Sequence, residues 1–273
     1  MAIIPNYLYR MGKKVRLAQR YLCYRLKAKG SHGIHSPFVF DLFRQVINSQ
    51  APFPIFSEIE HCRRILSHDH RVIEVTDYGA GSLSHSESLR MISTIARHAS
   101  KPRKYGELLF RLVRYFNSVQ ILEMGTSLGL SAAYLAGANP AIKLVTLEGC
   151  PQTGTIARKN LEILQLHNIS VMVGRFEDLL PKALACFSQL DLVFFDGNHR
   201  EKPTLAYFKA CLPYSTDYSL FIFDDIHWTA EMEAAWAIIQ QHPQVTMTID
   251  LFFLGLVFFR KEFQEKQHFI LKY

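Results

Sequence analysis

The apolar positions change their period near residue 118. Before that point they recur every three to four residues, the spacing of one face of a helix. Ile4, Leu8, Met11, Val15, Ala18, Leu22 and Leu26 form such a stripe, with most of the basic residues opposite and Lys29 nearer the apolar edge. "SPFVFDLFRQVI" offers Ser36 as an N-cap with Pro37 at the first helical position. "FSEIEHCRRIL" places Glu60 three residues after Ser57, a capping-box spacing, and "SESLRMISTIARHA" and "YGELLFRLVRYF" read as further helices. After residue 118 short solid apolar runs alternate with helical segments: "VQILEM", "IKLVTLE", "ISVMVG", "LDLVFFD" and "YSLFIFDD" are each followed by a helix. Such alternation predicts a parallel sheet with helices on both faces. "VTMTID" and "LFFLGLVFFR" then follow too closely for a helical crossover, so one of them must run antiparallel. The expectation is an α/β, doubly wound, seven-stranded sheet with one reversed strand at residues 101–273, preceded by a helical extension at 1–100.

Charge sharpens this division. The net charge is +7, yet residues 1–29 alone carry eight Lys and Arg and no Asp or Glu, leaving the remaining chain near neutral. A basic amphipathic helix has three readings. It docks its apolar stripe on the domain or on a second subunit, which is the favoured one. It lies on anionic lipid, or it contacts nucleic acid. No apolar run reaches the roughly 18 residues that would span a bilayer. No signal-peptide pattern is present, and five scattered cysteines without a CxxC pair read as reduced thiols of a cytoplasmic protein without a zinc site.

Two glycine loops compete for a cofactor: "VTDYGAGS" at 75–82 and "VQILEMGTSLGLS" at 119–131. In a doubly wound sheet the loop should open directly into a helix, and the next strand should end in a carboxylate about 20 residues on, to accept from ribose hydroxyls. The second loop meets both conditions. Gly125 and Gly129 allow close backbone approach, Ser131 opens a helix, and Glu148 ends the next strand. The first is followed by the basic "ARHASKPRK" and reads as a turn, or else as a lid or substrate-contacting loop. The G-x-G-x-x-G pyrophosphate fingerprint is absent, so the ligand is not a dinucleotide.

The loop resembles motif I of the class I S-adenosylmethionine-dependent methyltransferases, which have a Rossmann-like fold. From about Tyr105 to Arg260 the chain is most similar to the cation-dependent O-methyltransferases of the catechol and caffeoyl-CoA type. "KGSHGIHSPFVFDLF" and "DYGAGS", with the basic helix, resemble a Bacteroidetes subgroup of the class and suggest a lid or dimer contact. The resemblance implies that Glu123, Gly125, Ser127 and Ser131 contact the methionine end of S-adenosylmethionine, with Ser131 on its carboxylate. It puts Glu148 on the ribose and Gly174, Arg175 and Phe176 on the adenine side; Thr126, Gly129 and Asp196 complete the set.

"LDLVFFDGNHR" and "SLFIFDDIHW" put Asp196, Asp224 and Asp225 at neighbouring strand ends, where three carboxylates repel and a hard cation relieves the repulsion. The related enzymes hold Mg²⁺ with Asp, Asp and Asn, and Asp225 stands where they have Asn. The site either keeps the divalent ion with one more negative charge or has lost it. His199 stands where they place a lysine base; it is either the general base or a rim histidine bonded to a carboxylate. His227 is a second, weaker candidate. The implied reaction is transfer of the sulfonium methyl to a small-molecule hydroxyl, with Asp196 and His199 catalytic. "DGNH" replaces the (N/D)PP(Y/F/W) tetrapeptide of amino-group methylases, which argues against a nucleic-acid substrate. A non-catalytic or membrane-associated adaptor on this fold is the alternative from another class, and a homodimer is the default assembly.

Overall fold

The computed structural model describes the backbone of residues 3–76 and 88–273, with side chains from Val15 onward in those stretches. The N-terminal part comprises α1 (Ile3–Lys27), α2 (Pro37–Leu42), α3 (Pro54–Ser67), the short strands β1 (Val72–Glu74) and β2 (Leu89–Met91), α4 (Ile92–His98) and α5 (Arg103–Phe116). Then follow β3 (Gln120–Met124), α6 (Leu130–Ala136), β4 (Lys143–Glu148), α7 (Pro151–Ile163), β5 (Ile169–Val173), α8 (Phe176–Leu184), β6 (Leu190–Phe195), α9 (Glu201–Cys211), β7 (Ser215–Asp224), α10 (Ala230–Gln241), β8 (Met247–Asp250), β9 (Leu254–Phe258) and β10 (Gln267–Ile270).

The main sheet has the order β10-β8-β9-β7-β6-β3-β4-β5. Strands β3 to β7 pair in parallel, and β9 runs antiparallel to both β7 and β8, the one reversed strand read from the tight 250–254 connection. The sheet has eight strands, not seven. Residues 267–270 add in parallel to β8 and cover what would otherwise be an open edge. The mixed, partly exposed "QHFI" carries too weak a pattern to announce this strand.

The central strands are buried on both faces and so read as solid apolar runs. Ile121, Leu192, Phe194, Leu220 and Ile222 pack with α5 and α6. Leu122, Met124, Val193, Phe195, Phe221 and Phe223 pack with α8, α9 and α10. Val39, Leu42, Phe56, Ile59 and Ile95 from α2, α3 and α4 join the first of these cores, so the N-terminal helices below residue 100 pack continuously with the sheet domain.

Three local expectations need adjustment. Ser36 does cap α2, accepting from Val39 N at 3.4 Å. Ser57 does not cap α3: that helix starts at Pro54, whose fixed φ suits the first helical position, and Glu60 instead pairs with Arg63 at 2.9 Å. Residues 89–91, expected to be helical, pair antiparallel with 72–74. Residues 77–82 of the "VTDYGAGS" loop lie outside the described residues.

The third adjustment concerns α1. It forms as expected, but docks through the other face. Tyr24 and Ala28 are buried against Phe252, with Leu17 alongside, while Val15, Leu22 and Leu26 of the aliphatic stripe are 53%, 61% and 80% exposed. At about 100° per residue the two sets lie on nearly opposite sides. The docking face is chosen by polar complementarity. The Tyr24 hydroxyl donates to the Leu271 carbonyl, and Arg20 meets Glu233 at 2.8 Å. Glu233 approaches His227 Nδ1 at 3.2 Å, and His227 Nε2 lies 2.7 Å from Asp250. Lys29 N donates to Ile270 O and Lys272 N to Lys29 O, tying the end of α1 to β10.

This assigns different weights to neighbouring residues of α1. Tyr24→Ala is expected to destabilise the fold by about 3 kcal/mol, and Leu22→Ala by no more than about 0.5 kcal/mol, in denaturant unfolding. The reverse ranking would return docking to the aliphatic stripe.

Candidate active site

The loops after β3, β4, β5, β6 and β7 meet at one rim of the sheet, where the strand order reverses at β3. The first loop is fixed by backbone geometry. Gly125 has φ +105°, and a Cβ there would fall 2.1 Å from the Asp196 carbonyl oxygen, so only glycine lets the β3 and β6 loops touch. Gly125 N and Thr126 N both donate to Leu147 O, and Asp196 N donates to Met124 O. Ser127 takes a left-handed conformation, φ 48°, and its N–H donates to Glu148 Oε2 at 2.7 Å.

Glu148 also accepts from Cys150 N at 2.9 Å and Thr153 Oγ1 at 3.1 Å. Glu123 is fully buried inside β3, accepts from Thr146 Oγ1 at 2.6 Å, and is also hydrogen-bonded by Ser131. Burial, with the nearby Glu148 charge, pushes its pKa up to about 7, against the Thr146 and Ser131 hydrogen bonds. Thr126 Oγ1 lies 2.6 Å from Thr146 Oγ1 and extends this buried chain. Glu123, Thr126 and Ser131 thus brace the loop from beneath.

Gly174, φ +149°, donates its N–H to Glu148 O. The exposed Arg175 lies 3.8 Å from Glu177, and Phe176 covers Gly197, where a Cβ would come within 2.5 Å of its ring.

The structure brings Asp196, His199 and Asp224 together, with ligating atoms within 4.8 Å of one another. His199 Nε2 lies 3.7 Å from Asp196 Oδ1. Asp225 sits beside this group, not within it. Its left-handed backbone, φ 54°, and the Asp225 N to Phe253 O bond place it at the turn after β7. His227 points away into the α1 docking network, where burial opposes its protonation but Asp250 and Glu233 together raise its pKa.

One residue was not anticipated. Lys101, from the turn between α4 and α5, pairs directly with Asp224 and lies 3.8 Å from Asp196. Burial disfavours its ammonium, but Asp196, Asp224 and Asp225 more than offset that and raise its pKa. Asp196 is pushed well above the carboxylate range by burial and then by the Asp224 charge. Asp224 is also opposed by burial, yet Lys101 and a hydrogen bond from Asp196 hold it below its ordinary value. Burial and Asp224 push Asp225 up to about 6. The donor set suits a hard cation, and the Lys101 ammonium already stands against two of its carboxylates, Asp224 and Asp196. The only sequence signal for Lys101 was indirect: three converging carboxylates that required a positive charge.

The architecture is that of the class I methyltransferases, and residues 122–226 match the family described as a methyltransferase domain. Among curated relatives, a catechol O-methyltransferase of Niastella koreensis is 29% identical over 124 residues, 44% of this chain and 55% of that protein. A catechol O-methyltransferase of Mycobacterium tuberculosis is 30% identical over 123 residues, 44% of this chain and 54% of that one. The chain thus spans about half the length of the curated relatives it matches. Among solved structures, the O-methyltransferase from Bacillus cereus in complex with SAH superposes with TM-score 0.55 at 18% identity, covering 78% of this chain and 94% of that one. The O-methyltransferase TomG from Streptomyces achromogenes, in complex with SAM, gives TM-score 0.55 at 20% identity, covering 81% and 95%.

The buried Glu123 has a measurable consequence. Its native pKa of about 7 exceeds the ordinary 4.5, so the native state holds the proton more tightly than the unfolded chain. Its contribution to stability is complete below about pH 4.5 and is lost as pH rises through about 7, by about 3 kcal/mol. Unfolding free energies of wild type and Glu123→Gln are expected to diverge by that amount across this window, the wild type falling more. Parallel pH profiles would place Glu123 in an ordinary ionised state.

Proposed function

We propose that the protein transfers a methyl group from S-adenosylmethionine to a hydroxyl oxygen of a small-molecule acceptor. The observation that carries this reading is the junction of the Gly125–Gly129 turn and Glu148 with the Asp196–His199–Asp224 group at one sheet rim. The turn fits the cofactor: a Cβ would fill the contact at Gly125, and Glu148 ends the next strand at the same rim, where a ribose-binding carboxylate belongs. Gly174, Arg175 and Phe176 would border the adenine. Bound S-adenosylmethionine supplies an activated methyl on a sulfonium centre. The chain must therefore hold the acceptor oxygen in line and remove its proton. His199 takes that proton, and the Asp224 charge in the same group stabilises the imidazolium. Phe176, lying over Gly197, shields one side of the rim from water.

Calorimetric titration with S-adenosylhomocysteine tests the cofactor site. Micromolar binding by wild type, weakened at least about tenfold in a folded Glu148→Ala variant, is the expected result. Screening of phenols, catechols and other alcohols with S-adenosylmethionine, read as a gain of one methylene in mass, then identifies the acceptor. Failure of the folded wild type to bind would remove the enzyme reading.

For α1 we propose contact with an anionic lipid surface. No described helix is long and apolar enough to cross a membrane. The exposed Val15, Ala18, Leu22 and Leu26 form an apolar face, and Arg16, Arg25 and Lys27 are exposed on the same helix. An amphipathic helix of this composition lies in the headgroup plane. A second copy of the helix would bring like charge against like charge, since residues 1–29 hold no acid. The full chain is expected to float with phosphatidylglycerol vesicles and not with phosphatidylcholine ones, and the Leu22→Glu/Leu26→Glu variant to lose flotation. Unchanged flotation of the variant, or a solution dimer that the variant dissolves, would overturn this.

A further inference from the structure

The positive charge at the acceptor end of the site belongs to the chain itself. Lys101 is 11% exposed and reaches Asp224 and Asp196 from the turn that precedes Pro102. Three carboxylates and one ammonium would leave the cluster with a net charge of minus two if all were ionised. Lys101 pairs with Asp224 and stands 3.8 Å from Asp196, so one side chain brings positive charge to two of the three. The position against these two carboxylates is thus taken by an ammonium of the chain. A divalent ion would need both carboxylates ionised and the ammonium displaced.

A second observation concerns the other oxygen of Asp224. Asp224 Oδ1 is buried and has no hydrogen-bond partner among the described residues. A buried carboxylate oxygen without a donor is costly, and a ligand hydroxyl would satisfy it. The orphaned oxygen belongs to the same carboxylate whose other oxygen holds Lys101.

We propose that Lys101 is the resident cation of this site, taking the place that a divalent ion holds in the cation-dependent enzymes the chain resembles. Its ammonium fixes Asp224 and Asp196 and stands beside the acceptor hydroxyl that Asp224 Oδ1 receives. As that hydroxyl loses its proton to His199, its oxygen turns to Lys101, whose N–H stabilises the growing negative charge. The oxygen lone pair then forms the bond to the methyl carbon while the carbon–sulfur bond breaks onto sulfur. Lys101 keeps its proton throughout, so it is not the base. An ammonium offers separate N–H donors and does not chelate. The acceptor therefore needs one hydroxyl, not two adjacent oxygens as a metal-bound catechol would. This acceptor-side role rests on the methyltransferase reading; the occupation of the cation position does not.

Manganese is a suitable probe, because it favours hard carboxylate oxygens and its electron paramagnetic resonance signal separates free from bound ion. Wild type is expected to show no stoichiometric Mn²⁺ binding at millimolar metal. Lys101→Met, which keeps most of the side-chain volume, is expected to gain one site, lost again when Asp224→Asn is added. Stoichiometric binding by the wild type that Asp224→Asn abolishes would overturn the proposal, and this measurement needs no Lys101 variant to fold. A folded Lys101→Met that gains no site would overturn it equally, since the position would then not be one a divalent ion can use. Titration with S-adenosylhomocysteine separates the two readings: wild type that binds neither ligand loses the methyltransferase reading and keeps the resident-cation one. If the cofactor binds, Lys101→Met is expected to keep that affinity within about threefold and to lose acceptor turnover.

Discussion

Carboxylates cannot be gathered at adjacent strand ends without an answer to their repulsion, and here the answer is the Lys101 ion pair. The parallel registers of β3 with β6 and β6 with β7 bring Asp196 and Asp224 to one rim. Buried there, two like charges would each be costly to ionise. One ammonium answers both: Lys101 pairs with Asp224 and lies 3.8 Å from Asp196, whose carboxyl burial and the Asp224 charge hold above its ordinary value. The same pair draws the turn between α4 and α5 across the strand ends. From that turn α5 continues into the packing against α6.

The cofactor side follows a different rule, in which backbone approach replaces charge pairing. Gly125 touches the Asp196 carbonyl, so the β3 loop and the β6 loop share a wall. Glu148 pins Ser127 N in its left-handed conformation, and the Glu123–Thr146–Thr126 chain supports the same loop from below. Small displacements of any of these would reach Asp196 through one carbonyl contact. The two halves of the site are therefore mechanically joined, which suits a transfer that depends on a straight line between oxygen, carbon and sulfur.

Much of this was legible because it is written in local patterns. Solid apolar runs gave β3 to β7, glycine spacing gave the loop, and strand-end acids gave Glu148, Asp196 and Asp224. Three features were not legible, each for a physical reason. Lys101 sits in a basic run, "SKPRK", where charge patterning cannot tell a buried ammonium from solvated neighbours. Strand β10 is short and only partly buried, and it exists because β8 offers an edge. The need for a cation was visible, but not that a side chain more than ninety residues before Asp196 would meet it.

Helix α1 shows why an amphipathic pattern alone does not choose a face. Period analysis scores Tyr24 and Arg20 as polar and the aliphatic stripe as the buried side. The sheet edge presents a free Leu271 carbonyl, the Glu233 carboxylate and the Phe252 ring, and a tyrosine with an arginine satisfies all three at once. Leucines would have left those polar groups unpaired, at a cost exceeding what their burial returns. The side with the better hydrogen bonds therefore docked, and the side with the greater hydrophobicity was left outward. A soluble helix gains nothing from that exposure, and residues 1–29 combine it with eight positive charges and no negative one. The face that does not hold the fold together is thus the one on which the proposed lipid contact rests.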